Sequence, residues 1–121
     1  MPQSAFLSWV IIVLAISGFS LWPEGFVPDT YMLDKLAHFS AYALLAVVPA
    51  IFITSWRTLL WVAAGLIAIG AGLEGAQHLL PHRWASYSDL AANIAGVLTG
   101  SAMGWIGGRW FVRPASIETD A

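Results

Sequence analysis

Four apolar stretches, each long enough to cross a lipid bilayer as a helix, constrain the fold of this chain more than any other feature. A spanning helix needs roughly 20 predominantly apolar residues, within a range of about 17 to 25. The stretches are expected at about Ala5–Trp22, Asp34–Ser55, Thr58–Leu80 and Ser88–Val112. The sequence therefore predicts an all-α fold: a single domain over residues 1–121 that forms an integral membrane bundle of four transmembrane helices.

Composition separates this chain from soluble proteins. Its hydrophobic fraction is 59% and its charged fraction 10%, whereas soluble domains average roughly 25% charged residues. The net charge is −2 and the five cations are scattered, which argues against nucleic-acid binding because that needs a concentrated basic surface. The chain has no Cys, so disulfides and thiolate metal sites are excluded. No cofactor is expected.

The first apolar stretch is expected to be retained as a helix. No Lys or Arg precedes it, and it ends in Leu21-Trp22-Pro23-Glu24. A cleaved signal peptide needs a basic segment before its apolar run and a small-residue cleavage site after it. Of the connections, the sequence predicts Pro23–Leu33 to be the longest loop, Ser55–Thr58 a tight turn and Pro81–Tyr87 a short polar loop.

The distribution of Lys and Arg predicts the orientation in the membrane. Four crossings place both termini on one side, and that side carries Arg57, Arg109 and Arg113. The other side carries Lys35 and Arg83. Because cytoplasmic loops are enriched in Lys and Arg, both termini are predicted to be cytoplasmic.

Small residues and a proline are expected to shape the packing of the helices. Gly96, Gly100 and Gly104 recur at steps of four in the fourth stretch, and small residues on one face let helix backbones approach closely. We expect this stripe to pack within the bundle, with homo-oligomerisation through it as the alternative.

Pro49 lies inside the second stretch and predicts a kink, because it removes one backbone hydrogen bond.

Most of the informative polar residues fall in three short segments, Asp34–Tyr42, Glu74–His78 and Arg83–Asn93. Helices two and four enter the membrane on the side where helix three leaves it. At a helical rise of 1.5 Å per residue, His38 then lies about 6 Å deep, Asn93 roughly 7 Å and Glu74 roughly 9 Å. The antiparallel topology therefore predicts that the three segments share one leaflet.

Spacings of three and four residues place the polar side chains of each segment on one helix face. These faces are expected to point inward and pair, because an ionisable group that faces lipid is costly. The predicted ligand-binding residues are Asp34, Lys35, His38, Tyr42, Glu74, Gln77, Arg83, Asp89 and Asn93. Glu74 is the strongest functional candidate, because it lies inside an apolar helix and away from either end.

Several of these residues also have a purely structural interpretation. Asp34 and Asp89 begin helices, where a carboxylate caps free amides and suits the helix dipole. Lys35 can extend to lipid headgroups, and Asn93 can join helices by a hydrogen bond. His82 is better explained as an interface residue than as a functional one.

Taken in order, the polar segments resemble the VanZ-like membrane protein family. The matching elements are Asp-Lys-x-x-His-Phe-x-x-Tyr at 34–42, Glu-x-x-Gln at 74–77, Arg83, and Asp-x-x-x-Asn-x-x-Gly at 89–96. The resemblance covers about residues 33–104. It implies a multi-pass protein of the bacterial cytoplasmic (inner) membrane. The family takes its name from a protein associated with teicoplanin resistance, so a role in glycopeptide antibiotic resistance is one expectation.

The leading functional hypothesis is a non-enzymatic membrane factor that binds an envelope lipid headgroup or an amphiphilic antibiotic. Lys35, Arg83 and the amino-terminal ends of helices two and four would hold an anion such as a lipid-linked phosphate. The expected partners are membrane lipids and a lipid-linked phosphate or glycopeptide ligand.

Two alternatives stand beside it. One is an intramembrane hydrolase or transferase acting on a lipid, with Glu74 and His38 as the acid/base pair. A metal-dependent version would use His38, Glu74 and His78, with Asp89 as an oxygen ligand, although no recognised metal motif supports it. The other alternative is a structural salt-bridge network that only holds the bundle together.

Overall fold

The computed structural model describes residues 1–21, 31–80 and 86–112. All regular secondary structure in these ranges is helical. The elements are α1 (Gln3–Ser20), α2 (Tyr31–Phe52), α3 (Trp56–Gln77), α4 (Tyr87–Gly107) and a short π-helical extension of α4 (Gly108–Val112). All four α-helices are long and apolar enough to cross a membrane. The predicted all-α bundle of four transmembrane helices is therefore confirmed.

The helix ends differ from the predicted bounds by a few residues. Helix α2 already ends at Phe52, and Ser55 has an extended backbone immediately before α3. Helix α3 ends at Gln77 because the chain tightens there: the Leu80 N–H pairs with the Gln77 carbonyl, three residues back. The predicted end of the first stretch, Trp22, lies outside the described residues.

The outer surface of the bundle is apolar on every helix. Leu44 on α2 and Trp61 on α3 are 64% and 79% exposed, and α1 buries no residue at all. Water would penalise such a continuous apolar surface, whereas lipid chains would not. The small core lies between α2, α3 and α4 and includes Tyr42, Leu66 and Val97.

The closest helix pair is α2 with α4, and the glycine stripe of α4 makes that approach possible. A methyl group built at any of these glycines would lie closer to a carbonyl oxygen of α2 than the 3.0 Å that real Cβ atoms keep. The opposed pairs are Gly96 with Phe39, Gly100 with Ala43, Gly104 with Val47 and Gly108 with Ile51. The stripe thus packs within the bundle, as the sequence predicts. Homo-oligomerisation stays a prediction, and these glycine faces are covered by α2.

Side-chain hydrogen bonds to α2 and from α3 help to hold helix α1 on the bundle. The Trp9 indole Nε1–H donates to the Leu45 carbonyl oxygen at 2.8 Å. That carbonyl lies four residues before Pro49, which has no N–H to offer it, so the indole takes the place of the missing helical donor. At the other end of α1, the Gln77 Nε2–H donates to the Ser20 carbonyl oxygen at 2.6 Å.

Contacts between helices place four helix ends together. Gln77 and Ser20 join the carboxyl ends of α3 and α1, and the amino-terminal parts of α2 and α4 lie side by side. We call this end of the bundle, where these four helix ends meet, the polar end. Its formation follows from antiparallel topology, as the sequence predicts.

Candidate functional site

Five polar side chains gather between α2 and α4 at the polar end, and we call them the polar cluster. They are Asp34, Lys35 and His38 from α2, with Asp89 and Asn93 from α4. One helical turn deeper, the same helix pair is closed by the glycine stripe. The close backbone approach that the stripe allows also brings the first turns of the two helices within side-chain reach of each other.

His38 is oriented by a hydrogen bond across the helix pair. Its Nδ1 lies 3.0 Å from Asn93 Oδ1, and Asn93 is 2% exposed. An amide oxygen only accepts, so Nδ1–H is the donor. The other ring nitrogen, Nε2, lies 3.6 Å from Asp34 Oδ1, four residues earlier on the same helix. The hydrogen bond to the buried Asn93 amide therefore fixes the ring, with Nε2 turned toward the Asp34 carboxylate.

Lys35 connects the two carboxylates of the polar cluster. Its Nζ lies 3.1 Å from Asp34 Oδ2 and forms an ion pair with Asp89 Oδ1 on α4. Asp89 is 8% exposed, whereas the Asp34 side chain is 43% exposed. The cluster thus extends from a buried carboxylate to one that is accessible from outside the bundle.

Asp89 faces α2, although its position in the sequence suits a helix cap. Ser86 occupies the N-cap position of α4 and Asp89 comes three residues later, the spacing of a capping box. In a capping box the later side chain would bind the N–H of the first residue. Here Glu74 Oε1 accepts that Ser86 N–H at 2.6 Å, and the N-cap has no side-chain cap hydrogen bond. The Asp89 carboxylate instead pairs with Lys35.

Glu74 and Gln77, both on α3, make contacts outside the polar cluster. Glu74 is 7% exposed and holds the start of α4 through Ser86, and Gln77 holds the end of α1 through Ser20. The predicted acid/base pair of Glu74 with His38 is not among the hydrogen bonds of the described residues. In those residues Glu74 serves as an anchor between helices.

The remaining predicted site residues divide into three cases. Tyr42 is buried, and its ring lies against Gly70 of α3, where a methyl group would come within 3.1 Å of it. His78 is exposed at the carboxyl end of α3. Arg83 and His82 lie outside the described residues.

One group of possible metal ligands occurs in the described residues, and it differs from the predicted set. Ligand atoms of Asp34, His38 and Asp89 all lie within 4.8 Å of one another. Glu74 and His78 are not part of this group. The metal-dependent alternative of His38, Glu74, His78 and Asp89 thus shares only His38 and Asp89 with this group, and Glu74 is directed to the start of α4.

Sequence reasoning missed two residues that organise this region. Ser86 supplies the N–H that receives Glu74, and its place three residues before Asp89 is the signal that marks a helix start. Trp9 supplies the donor for Leu45, and the signal is Pro49 four residues after that carbonyl. Both signals lie within one segment of the sequence, and neither predicts which residue of another helix makes the contact.

The polar cluster can bind charge of either sign. Lys35 and the first turns of α2 and α4 attract anions, while Asp34 and Asp89 attract cations. With His38 neutral, the two carboxylates and one ammonium of the polar cluster leave one negative charge in excess. No family model, curated protein or solved structure matches this chain.

Proposed function

We propose that this chain is a VanZ-like multi-pass protein of the bacterial cytoplasmic membrane that binds the headgroup of an envelope lipid, or an amphiphilic drug, at the polar cluster. The observation that carries the proposal is the cluster itself. Five polar side chains lie together at the ends of helices whose outer surfaces are apolar. Ionisable groups in membrane-spanning helices are energetically costly and usually mark a functional site, and a cluster at the helix ends would lie near the lipid headgroups.

The charge pattern favours a headgroup that carries both an amine and a phosphate. Lys35 is already paired with Asp34 and Asp89, so a purely anionic ligand would have to compete with two carboxylates. A zwitterionic headgroup would exchange partners instead, with its amine on Asp34 and its phosphate on Lys35. Arg83, predicted for the same site, lies outside the described residues and would add to the phosphate side.

The exposure of the two carboxylates supports a ligand that enters from the Asp34 side of the polar cluster. The Asp34 side chain is the most exposed carboxylate of the polar cluster, while Asp89 is enclosed between α2 and α4. A ligand would therefore meet Asp34 first, and the glycine-packed part of the helix pair below would stop it from going deeper. A lipid approaching from the bilayer would keep its chains on the apolar face beside the cluster.

The test is lipid binding by the purified full chain, measured by native mass spectrometry with phosphatidylethanolamine, phosphatidylglycerol and a polyprenyl phosphate. We expect phosphatidylethanolamine to bind best. Asp34→Asn should weaken it at least several-fold, since it removes the accessible charge. Arg57→Ala is the control, because Arg57 lies at the other end of the bundle, stacked on Trp56 at 5.6 Å. Equal binding by the Asp34 and Arg57 variants would overturn the proposal.

The same polar cluster supports an alternative function, an intramembrane hydrolase or transferase acting on a lipid. The observation that favours it is the fixed orientation of His38 between Asn93 and Asp34. In this version His38 would move the proton with Asp34 as its partner, rather than with Glu74. Incubation of the purified protein with radiolabelled lipids would reveal a product. A His38→Gln variant that forms the same product would exclude this role.

The proposal includes an orientation, with both termini in the cytoplasm and the polar end facing the outside of the cell. Arg57 and Arg109 both lie at the other end of the bundle, each over a tryptophan ring. Tryptophan suits either membrane interface, and Arg is enriched on the cytoplasmic side. An outward polar end would place the polar cluster where envelope lipids and glycopeptide drugs are met.

A further inference from the structure

We propose that Asp34, His38 and Asp89 form a binding site for a divalent transition-metal ion, with Lys35 as an internal cation that competes for the same carboxylates. This inference goes beyond the proposed function and does not require it. The three residues come from two helices, and their ligand atoms all lie within 4.8 Å of one another. Two ligands of one zinc ion, each about 2.1 Å from it, lie at most about 4.2 Å apart. Small rotations of the side chains would close the group around an ion.

The first supporting observation is the buried oxygen of Asp89. Its residue is more than nine-tenths buried, and Oδ1 has no hydrogen-bond partner in the described residues. The Lys35 ammonium lies against this oxygen as a counter-charge. A buried carboxylate needs a cation or hydrogen-bond donors beside it, and this oxygen faces α2, where Lys35 and the other two ligands lie. A metal ion could therefore replace the Lys35 ammonium as the counter-charge of this oxygen.

The second supporting observation is the orientation of His38. Because Nδ1–H donates to Asn93 Oδ1, a neutral imidazole presents the lone pair of Nε2 toward Asp34 Oδ1, 3.6 Å away. A lone pair that faces a carboxylate oxygen repels it unless a cation lies between them. Metal-binding histidines generally donate their other ring N–H to an oxygen, which fixes the tautomer and the ring. Asn93 makes that contact here.

The donor set determines the kind of ion. One imidazole nitrogen and two carboxylate oxygens suit zinc, manganese or iron(II), and they are poor ligands for copper(I), which prefers sulfur. Three protein ligands leave at least one coordination position open. A bound dication would also reverse the excess negative charge of the polar cluster, and the open position would then accept a phosphate or carboxylate oxygen.

A metal ion and the Lys35 ammonium compete for the carboxylates of Asp34 and Asp89, and a titration can measure this competition. The metal-free purified chain is titrated with Zn²⁺ alone by isothermal titration calorimetry, without added lipid. We expect one ion per chain. Asp89→Asn should lower the affinity more than tenfold, and Asn93→Ala, which releases the orientation of His38, by about 10- to 100-fold. Lys35→Met should raise the affinity, because the competing ammonium is gone. His78→Gln is the control, since His78 is an exposed histidine outside the group.

Thermal unfolding provides a second measurement that does not depend on one variant. A ligand that binds only the folded state raises the unfolding temperature, so Zn²⁺ should stabilise Lys35→Met more than the original chain. If Asp89→Asn does not fold, Asp34→Asn replaces it, because Asp34 is the more exposed ligand. No stoichiometric binding, or equal loss in His78→Gln and the ligand variants, would overturn the site. Zinc binding without phosphatidylethanolamine binding would leave the metal site intact and remove only the proposed function.

Discussion

Glu74 Oε1 accepts the backbone N–H of Ser86 at 2.6 Å, which joins the carboxyl-terminal part of α3 to the first residue before α4. This contact explains why a carboxylate is found inside an apolar helix. It also explains why Asp89 is available to α2, because the N–H that Asp89 would bind in a capping box is already occupied. Glu74 on α3 thus leaves the Asp89 carboxylate on α4 free to pair with Lys35 on α2.

The contact predicts different outcomes for two substitutions of Glu74. Glu74→Gln keeps an oxygen that can accept the Ser86 N–H, so the fold should tolerate it. Glu74→Leu leaves that N–H without its partner and should lower the free energy of unfolding by about 1.5–3 kcal/mol, the range for hydrogen bonds to charged groups. Thermal unfolding of the purified variants measures both. A Glu74→Gln variant that folds normally yet binds no lipid would show instead that the charge itself is needed for binding.

The glycine stripe predicts a contrast between two identical changes. Gly100→Ala places a methyl group against the Ala43 carbonyl of α2, so the helices must separate. The expected loss is about 1–3 kcal/mol of unfolding free energy, typical of an overpacked interior. Gly72→Ala on α3 is the control, because nothing lies within 4 Å of the added methyl group. Equal loss in both variants would mean that alanine harms these helices for a reason other than the α2–α4 contact.

The fold and the grouping of polar residues could be predicted because both depend on where apolar and polar residues lie along the sequence. Run length sets the number of crossings, and antiparallel crossings bring His38, Glu74 and Asn93 to the same end. The choice of partners could not be predicted in this way. It depends on how each helix is rotated about its axis, and in this bundle the carbonyl contacts of the glycine stripe set that rotation. His38 therefore meets Asn93 and not Glu74.

The sequence predicts the helix ends less accurately than the number of helices, and the reason is local. Hydropathy continues through Ile53 and Leu79, but the backbone leaves the helix near both residues. Ser55 and Ser86 precede helices in extended conformations, as helix-start residues do. The apolar character of a segment shows that it lies in lipid, while capping and turn residues decide where its helical hydrogen bonds stop.

The orientation predicts where reporters fused to the carboxyl end will work. With both termini cytoplasmic, a green fluorescent protein fused there should fluoresce and an alkaline phosphatase fused there should be inactive. The physical reason is the count of Lys and Arg: in the described residues Arg57 and Arg109 lie at the end that carries both termini, and Lys35 lies at the polar end. An active phosphatase fusion would reverse the orientation and direct the polar end to the cytoplasm.

The contact between Trp9 and Leu45 predicts a coupling with Pro49. Trp9→Phe removes the indole N–H and leaves the Leu45 carbonyl without a donor, which should cost about 0.5–1.5 kcal/mol of unfolding free energy. Pro49→Ala restores a backbone N–H four residues after that carbonyl, so the helix can satisfy it internally. Trp9→Phe should therefore cost less in the Pro49→Ala background than in the original chain. A double-mutant cycle of unfolding free energies measures the difference. Strictly additive effects would show that the indole stabilises α1 by packing alone, and that the missing N–H of Pro49 has no part in holding α1 to the bundle.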